Sequence, residues 1–161
     1  MSLREPDPTD PYREPVYAAE GEALPEGGRR FRRFTDLESY VESVLLGAWW
    51  ERTFPDAPID IAIERRSRGA TFSAAHVDEH GDEGVLWIRD GSWDAVTVVH
   101  ELAHVASANR TQTPDPTGPH GRDFVTALLL AWRELLGLHA YGALRFGLLA
   151  WGVPFLRERL A

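Results

Sequence analysis

Apolar positions along this chain recur at two different spacings, and the switches between them outline the elements. Over "TDLESYVESVLLGAWWER" (35–52), Leu37, Tyr40, Val41, Val44, Leu45 and Ala48 return every three or four residues. That spacing predicts one helix running to about Arg52, opened by a capping box between Thr35 and Glu38 and closed by "FPDAP". The period then drops to two. "IDIAIERR" (59–66) alternates Ile59, Ile61 and Ile63 with polar or small residues, as a half-buried strand does. "ATFSAAHV" (70–77) and "GVLWIRD" (84–90) read as two further strands joined across the turn-rich "DEHGDE".

Helical spacing returns in "GSWDAVTVVHELAHVASA" (91–108), with Ser92 as the expected N-cap. A polar, proline-bearing loop follows over 109–119. "RDFVTALLLAWRELLG" (122–137) carries Phe124, Leu128, Ala131, Trp132 and Leu135 on one stripe, and a further apolar helix is expected over 138–151. Near the start, "VYAAE" (16–20) reads as a short strand or extended anchor, and the proline-rich, charged residues 1–15 as a mobile tail. The expected class is α+β: a single domain over 16–161 with a small sheet of three to four strands. That sheet packs against an N-terminal helix and the helix at 91–108, and two C-terminal helices follow.

Composition narrows the chemistry. The 161 residues suffice for one core, and 43% hydrophobic with 26% charged residues is an ordinary globular balance. The chain has no cysteine, so any metal must be held by histidine and carboxylate. A formal charge of −8 disfavours binding to a nucleic-acid backbone; the dense basic cluster "RRFRRF" (29–34) is too short to reverse that. The N-terminus lacks a signal-peptide pattern, so a cytoplasmic protein is expected. The apolar stretch 135–156 is interrupted by His139, Arg145, glycines and Pro154, so a helix packed on the domain or a partner is expected rather than a membrane span.

The candidate chemistry sits in "HELAH" (100–104). Positions four apart lie about 40° from each other on a helix, so His100 and His104 share a face. They are expected opposite the core stripe of Ala95, Val98, Leu102 and Val105, facing a cleft. Two imidazoles one turn apart can reach one zinc ion at about 2.0–2.1 Å, and the carboxylate beside the first is placed to act as general base. Glu101 holds that position. A catalytic zinc wants a third protein ligand. Six residues past His104 stands Arg110, so the metzincin spacing is absent. His120 in "GPHGRDF" is the expected third ligand, with Gly121 easing a sharp turn and Phe124 pinning the next helix; Glu134 is the rival. Asp123 could orient a ligand imidazole or simply serve the first turn of its own helix. His76 and His80 are expected as surface histidines, either of which could serve an oxyanion, and His139 as structural or exposed.

The combination "HELAHVAS…GPHGRDF" after three short strands resembles the compact zinc peptidases of the SprT-like and WLM type. More closely, "VYAAE" with "HELAHV…GPHGRDFV" is similar to a family of small zinc metallohydrolases defined by sequence, with no assigned substrate. The resemblance is specific around 98–125. It implies a zincin-like domain in which His100, His104 and His120 hold Zn2+, Glu101 is the base, and "GVLWIRD" lies near a cleft where an extended peptide adds to a sheet edge. The cysteine zinc ribbon and DNA-binding extensions of SprT-like proteases are absent here. The expected activity is zinc-dependent hydrolysis of a peptide or protein substrate, with no nucleic-acid or membrane partner. A non-peptide amide or ester hydrolase and a non-catalytic zinc-stabilised binding module are the alternatives.

Overall fold

The computed structural model describes residues 7–108 and 115–161. They form an α+β protein of six α-helices and a three-stranded mixed sheet, in the expected class. Two compact units divide the described residues: 27–108 form one, and 7–26 with 115–161 the other. The first six residues of the expected tail, and part of the expected 109–119 loop, lie outside the described residues.

The unit spanning 27–108 contains the sheet. Helix α2 (Phe34–Leu45) buries Leu37, Val41, Val44 and Leu45, and the helix expected to continue to Arg52 breaks at Gly47 before α3 (Ala48–Thr53). Gly47 takes an extended ψ of 144°, which restarts the chain in a new direction. The Thr35–Glu38 capping box does not form. The N-cap is Arg33, whose guanidinium instead grips Asp36 in the first turn at 2.9 and 3.2 Å.

Strands β1 (Asp60–Arg66), β2 (Ala74–Val77) and β3 (Glu83–Arg89) assemble in the order β1-β3-β2. β1 runs parallel to β3, from Asp60 opposite Glu83 to Arg66 opposite Arg89. β2 runs antiparallel to β3 across a turn in which the Asp78 carboxylate accepts the backbone N–H of Asp82 at 2.8 Å. Three hydrogen bonds from backbone amides to Asp78 outweigh the opposing effect of burial and hold its carboxyl below the usual range. β3 is therefore the central strand, with Leu86 and Ile88 fully buried. Both of its edges are paired, so "GVLWIRD" offers no free edge for an added peptide; the free edges belong to β1 and β2. Hydrophobic runs read the strand correctly, but order in a sheet is a long-range property that no local pattern encodes.

Helix α4 (Ala95–Ser107) packs on β2 and β3. Its N-cap is Asp94 rather than Ser92: the Asp94 carboxylate accepts the Thr97 backbone N–H at 2.9 Å and its hydroxyl at 3.1 Å. Ser92 instead accepts from Arg89.

The second unit is helical. "VYAAE" lies inside α1 (Arg13–Ala23) and is not a strand. Val16, Ala19 and Glu20 are spaced three and four apart and are buried, while Pro15 sits in the first turn, where a missing N–H costs nothing. α1 packs on α6 (Leu138–Ala150) through small residues: a Cβ on Gly147 would stand 3.4 Å from that of Ala19. α5 (Arg122–Leu135) also packs on α6 and buries a continuous run from Phe124 to Trp132. Gly137, at φ +95°, turns the chain between α5 and α6. α6 has 13 residues, and among the described residues no helix is long and apolar enough to cross a membrane.

Candidate metal centre

α4 presents His100 and His104 one turn apart with their ring centroids 5.1 Å from each other. The expected cleft face is not an open one. His100 is 2% exposed and Glu101 3% exposed, and the helix is buried nearly all round from Val98 to Leu102. His104 is half-buried.

His120 is set by the segment before α5. Asp115 carries the organisation: its carboxylate accepts the Thr117 backbone N–H at 2.8 Å, the Thr117 hydroxyl, and the Asp123 backbone N–H at 2.9 Å. Burial acts to raise the Asp115 pKa, but these hydrogen bonds outweigh it and hold the carboxyl below its ordinary value. The Thr117 hydroxyl in turn accepts the Arg122 N–H at 2.7 Å. Two of the free amides at the start of α5 are thereby satisfied from upstream side chains. Gly121 is required here for want of a Cβ, not for left-handed backbone. Its φ is −87°, but a Cβ would fall 2.1 Å from the Thr117 hydroxyl oxygen.

The ring of His120 is held by a residue that local sequence patterns do not mark. Asp10 accepts the His120 backbone N–H at 3.2 Å through one carboxylate oxygen and lies 2.8 Å from Nδ1 through the other. An ionised carboxylate can only accept, so Nδ1 carries the hydrogen and the Nε2 lone pair is left for another partner. Tyr17 and Phe124 flank the ring, with centroids 5.6 and 5.0 Å away. Phe124 is buried within α5, as expected of a residue that pins that helix, and its ring also lies beside His120. Asp123 does not orient it: its carboxylate accepts from Arg122 Nε at 3.2 Å. Asp10 stands 110 positions from its partner, inside the stretch expected as a tail, and nothing local distinguishes it from the other acids there.

One ligand nitrogen from each of His100, His104 and His120 lies within 4.8 Å of the others. The donor set is chemically coherent for a borderline divalent cation such as Zn2+: three imidazoles, at least one fixed by a carboxylate, in a chain without thiolates. The remaining candidates are elsewhere. Glu134, His76, His80 and His139 are all exposed, and His80 approaches only Glu79, at 3.7 Å.

No family model matches the chain, and no solved structure matches it. Over 92 residues it is 38% identical to ATP synthase subunit alpha 3 of Paraburkholderia xenovorans (strain LB400), a match covering 52% of this chain and 17% of that one. The chain thus spans about a sixth of the length of that relative, and the likeness sets no family for it.

Proposed function

We propose that the protein is a zinc-dependent hydrolase, a cytoplasmic metallopeptidase in which His100, His104 and His120 hold the ion and Glu101 is the general base. The observation that carries the reading is the approach of the three imidazole nitrogens to one another. The hold of Asp10 on His120 supports it, because metal-bound histidines characteristically give their second N–H to a carboxylate. A divalent cation held there would supply Lewis acidity, lowering the pKa of water into the neutral range. Glu101, next to the first of these histidines and buried, would serve as the base that accepts a proton and returns it to the leaving amine. Asp10 keeps His120 in the tautomer whose Nε2 can donate its lone pair. A peptide or protein is the proposed substrate; the net charge of −8 argues against nucleic acid.

Metal analysis of the purified protein, followed by a peptide-library digest with and without chelator, tests the reading. Zinc near one equivalent and chelator-sensitive cleavage are expected. Glu101→Gln should keep the zinc and lower turnover by about 10²- to 10⁴-fold. Zinc without cleavage of any peptide, amide or ester would assign the ion a structural role. A folded sample that takes up no metal would end the proposal.

A further inference from the structure

A second site lies in the 27–108 unit, at the end of the sheet from which α4 departs. The basic run at 29–34, too short to matter for nucleic acid, is here joined by arginines from another part of the chain. Phe31 donates its backbone N–H to the Trp93 carbonyl at 2.9 Å, and Ala95 donates to the Arg29 carbonyl at 2.8 Å. The segment around Arg30 is therefore laced against the residues that lead into α4. From the opposite side comes the turn after β1, whose Arg68 and Ala70 carbonyls accept Arg89 Nε at 3.1 and 2.7 Å. Between them opens a pocket of about 310 Å³ lined by Arg30, Phe31, Arg65, Arg68, Asp90 and Trp93 together with Gly91.

Charge in this pocket is unbalanced. Arg65 and Asp90 neutralise each other in a two-pronged pair at 3.1 and 3.0 Å, and the Arg65 guanidinium lies 5.2 Å from the Trp93 ring centre. Arg30 and Arg68 form no ion pair with any described carboxylate. Gly91, at φ +92°, leaves open backbone beside Arg68, whose guanidinium carbon would lie 3.4 Å from a Cβ there. Arg68 also acts electrostatically on Asp90, so three guanidiniums share one carboxylate in this concavity, an excess of two positive charges on a protein whose net charge is −8.

We infer that this pocket binds a phosphate monoester, with Arg30 and Arg68 receiving the phosphate and Phe31 and Trp93 lining the space for the group that bears it. The two excess positive charges match a dianion, and a phosphate monoester carries a charge of about −1.5 to −2 at neutral pH. Planar guanidinium forks suit its oxygens better than a lysine would. The volume falls in the range of about 300–1,000 Å³ typical of small-ligand sites and exceeds what a bare phosphate needs. The pocket shares no residue with the histidine centre.

Calorimetric titration of the full chain with phenyl phosphate, inorganic phosphate, benzoate and a phosphoserine peptide tests it. Phenyl phosphate should bind more tightly than inorganic phosphate and at least tenfold more tightly than benzoate. Arg30→Gln/Arg68→Gln should weaken it at least tenfold while the circular dichroism and melting midpoint stay in place; Arg30→Lys/Arg68→Lys should recover part of the loss. Tighter binding of the peptide than of phenyl phosphate would identify a protein-borne phosphate, and weaker binding a small molecule; both keep the assignment. Equal binding of benzoate and phenyl phosphate, unaltered affinity in the glutamine variant, or no heat with any phosphate would overturn it.

Discussion

Helices α4 and α6 have the same length, 13 residues, and both are rich in apolar side chains, yet they spend them in opposite ways. α4 buries eight of its residues, and two of those are His100 and Glu101. α6 buries four, Ala140, Leu144, Gly147 and Leu148, while Leu138 and Phe146 are about three-quarters exposed and Trp151 just beyond its end is half exposed. Hydropathy along a helix therefore does not report burial. Exposing a Phe forgoes roughly 1.5–3 kcal/mol that its burial would bring. Burying an ionisable side chain incurs a desolvation penalty of several kcal/mol unless partners offset it. α4 buries two such side chains, His100 and Glu101, where α6 buries none.

The contrast can be broken at several points. The largest effect on stability should come where the two helices agree. Leu102→Ala on α4 and Leu144→Ala on α6, both fully buried, should each lower the unfolding free energy by about 2–5 kcal/mol in a denaturant titration. A loss below 1 kcal/mol at Leu144 would mean that α6 contributes little to its own unit. Next comes the metal. Asp10→Ala should weaken zinc binding by about 10- to 100-fold, read by competition with a chromophoric chelator. Unchanged affinity would leave Asp10 as a plain structural contact.

Acid should act through Asp115, whose folded-state pKa is depressed. A depressed carboxyl stabilises the fold fully above its unfolded pKa of about 3.8, and that contribution fades as pH falls through the lower folded value. Asp115→Asn should therefore flatten the melting midpoint's dependence on pH below about 4, and an unchanged slope would remove Asp115 from the account. The smallest effect belongs to the exposed side of α6. Phe146→Ser should change stability by no more than about 0.5 kcal/mol. A larger loss would show that this ring is covered in solution.

Much of the site was legible for one reason: a helix repeats itself every 3.6 residues, so a spacing of four in the sequence is a shared face in space. His100, Glu101 and His104 needed nothing more. His120 was reachable because its neighbours are themselves local signals, a glycine that cannot bear a Cβ and a phenylalanine that packs beside the ring. The helix starts differ from the expected ones by one or two residues. Thr35 and Ser92 looked like caps, but α2 starts after Arg33 without a side-chain cap and Asp94 caps α4 through the Thr97 N–H, since a cap is decided by the chain's approach angle as well as by residue type. The α1 segment was misread because five residues of "VYAAE" are too few to separate a period of two from one of 3.6.

The order of residues alone determined the α+β class and the α4 motif, because these follow from spacing along the elements. Only the folded chain decided that β3 lies in the middle of its sheet, that Asp10 grips His120 across 110 positions, and that Arg30 and Arg68 share a pocket. Each of these joins parts of the chain whose separation in sequence leaves no periodic trace. Their meeting is set by packing of whole elements, a long-range balance of burial and hydrogen bonding that no short window contains.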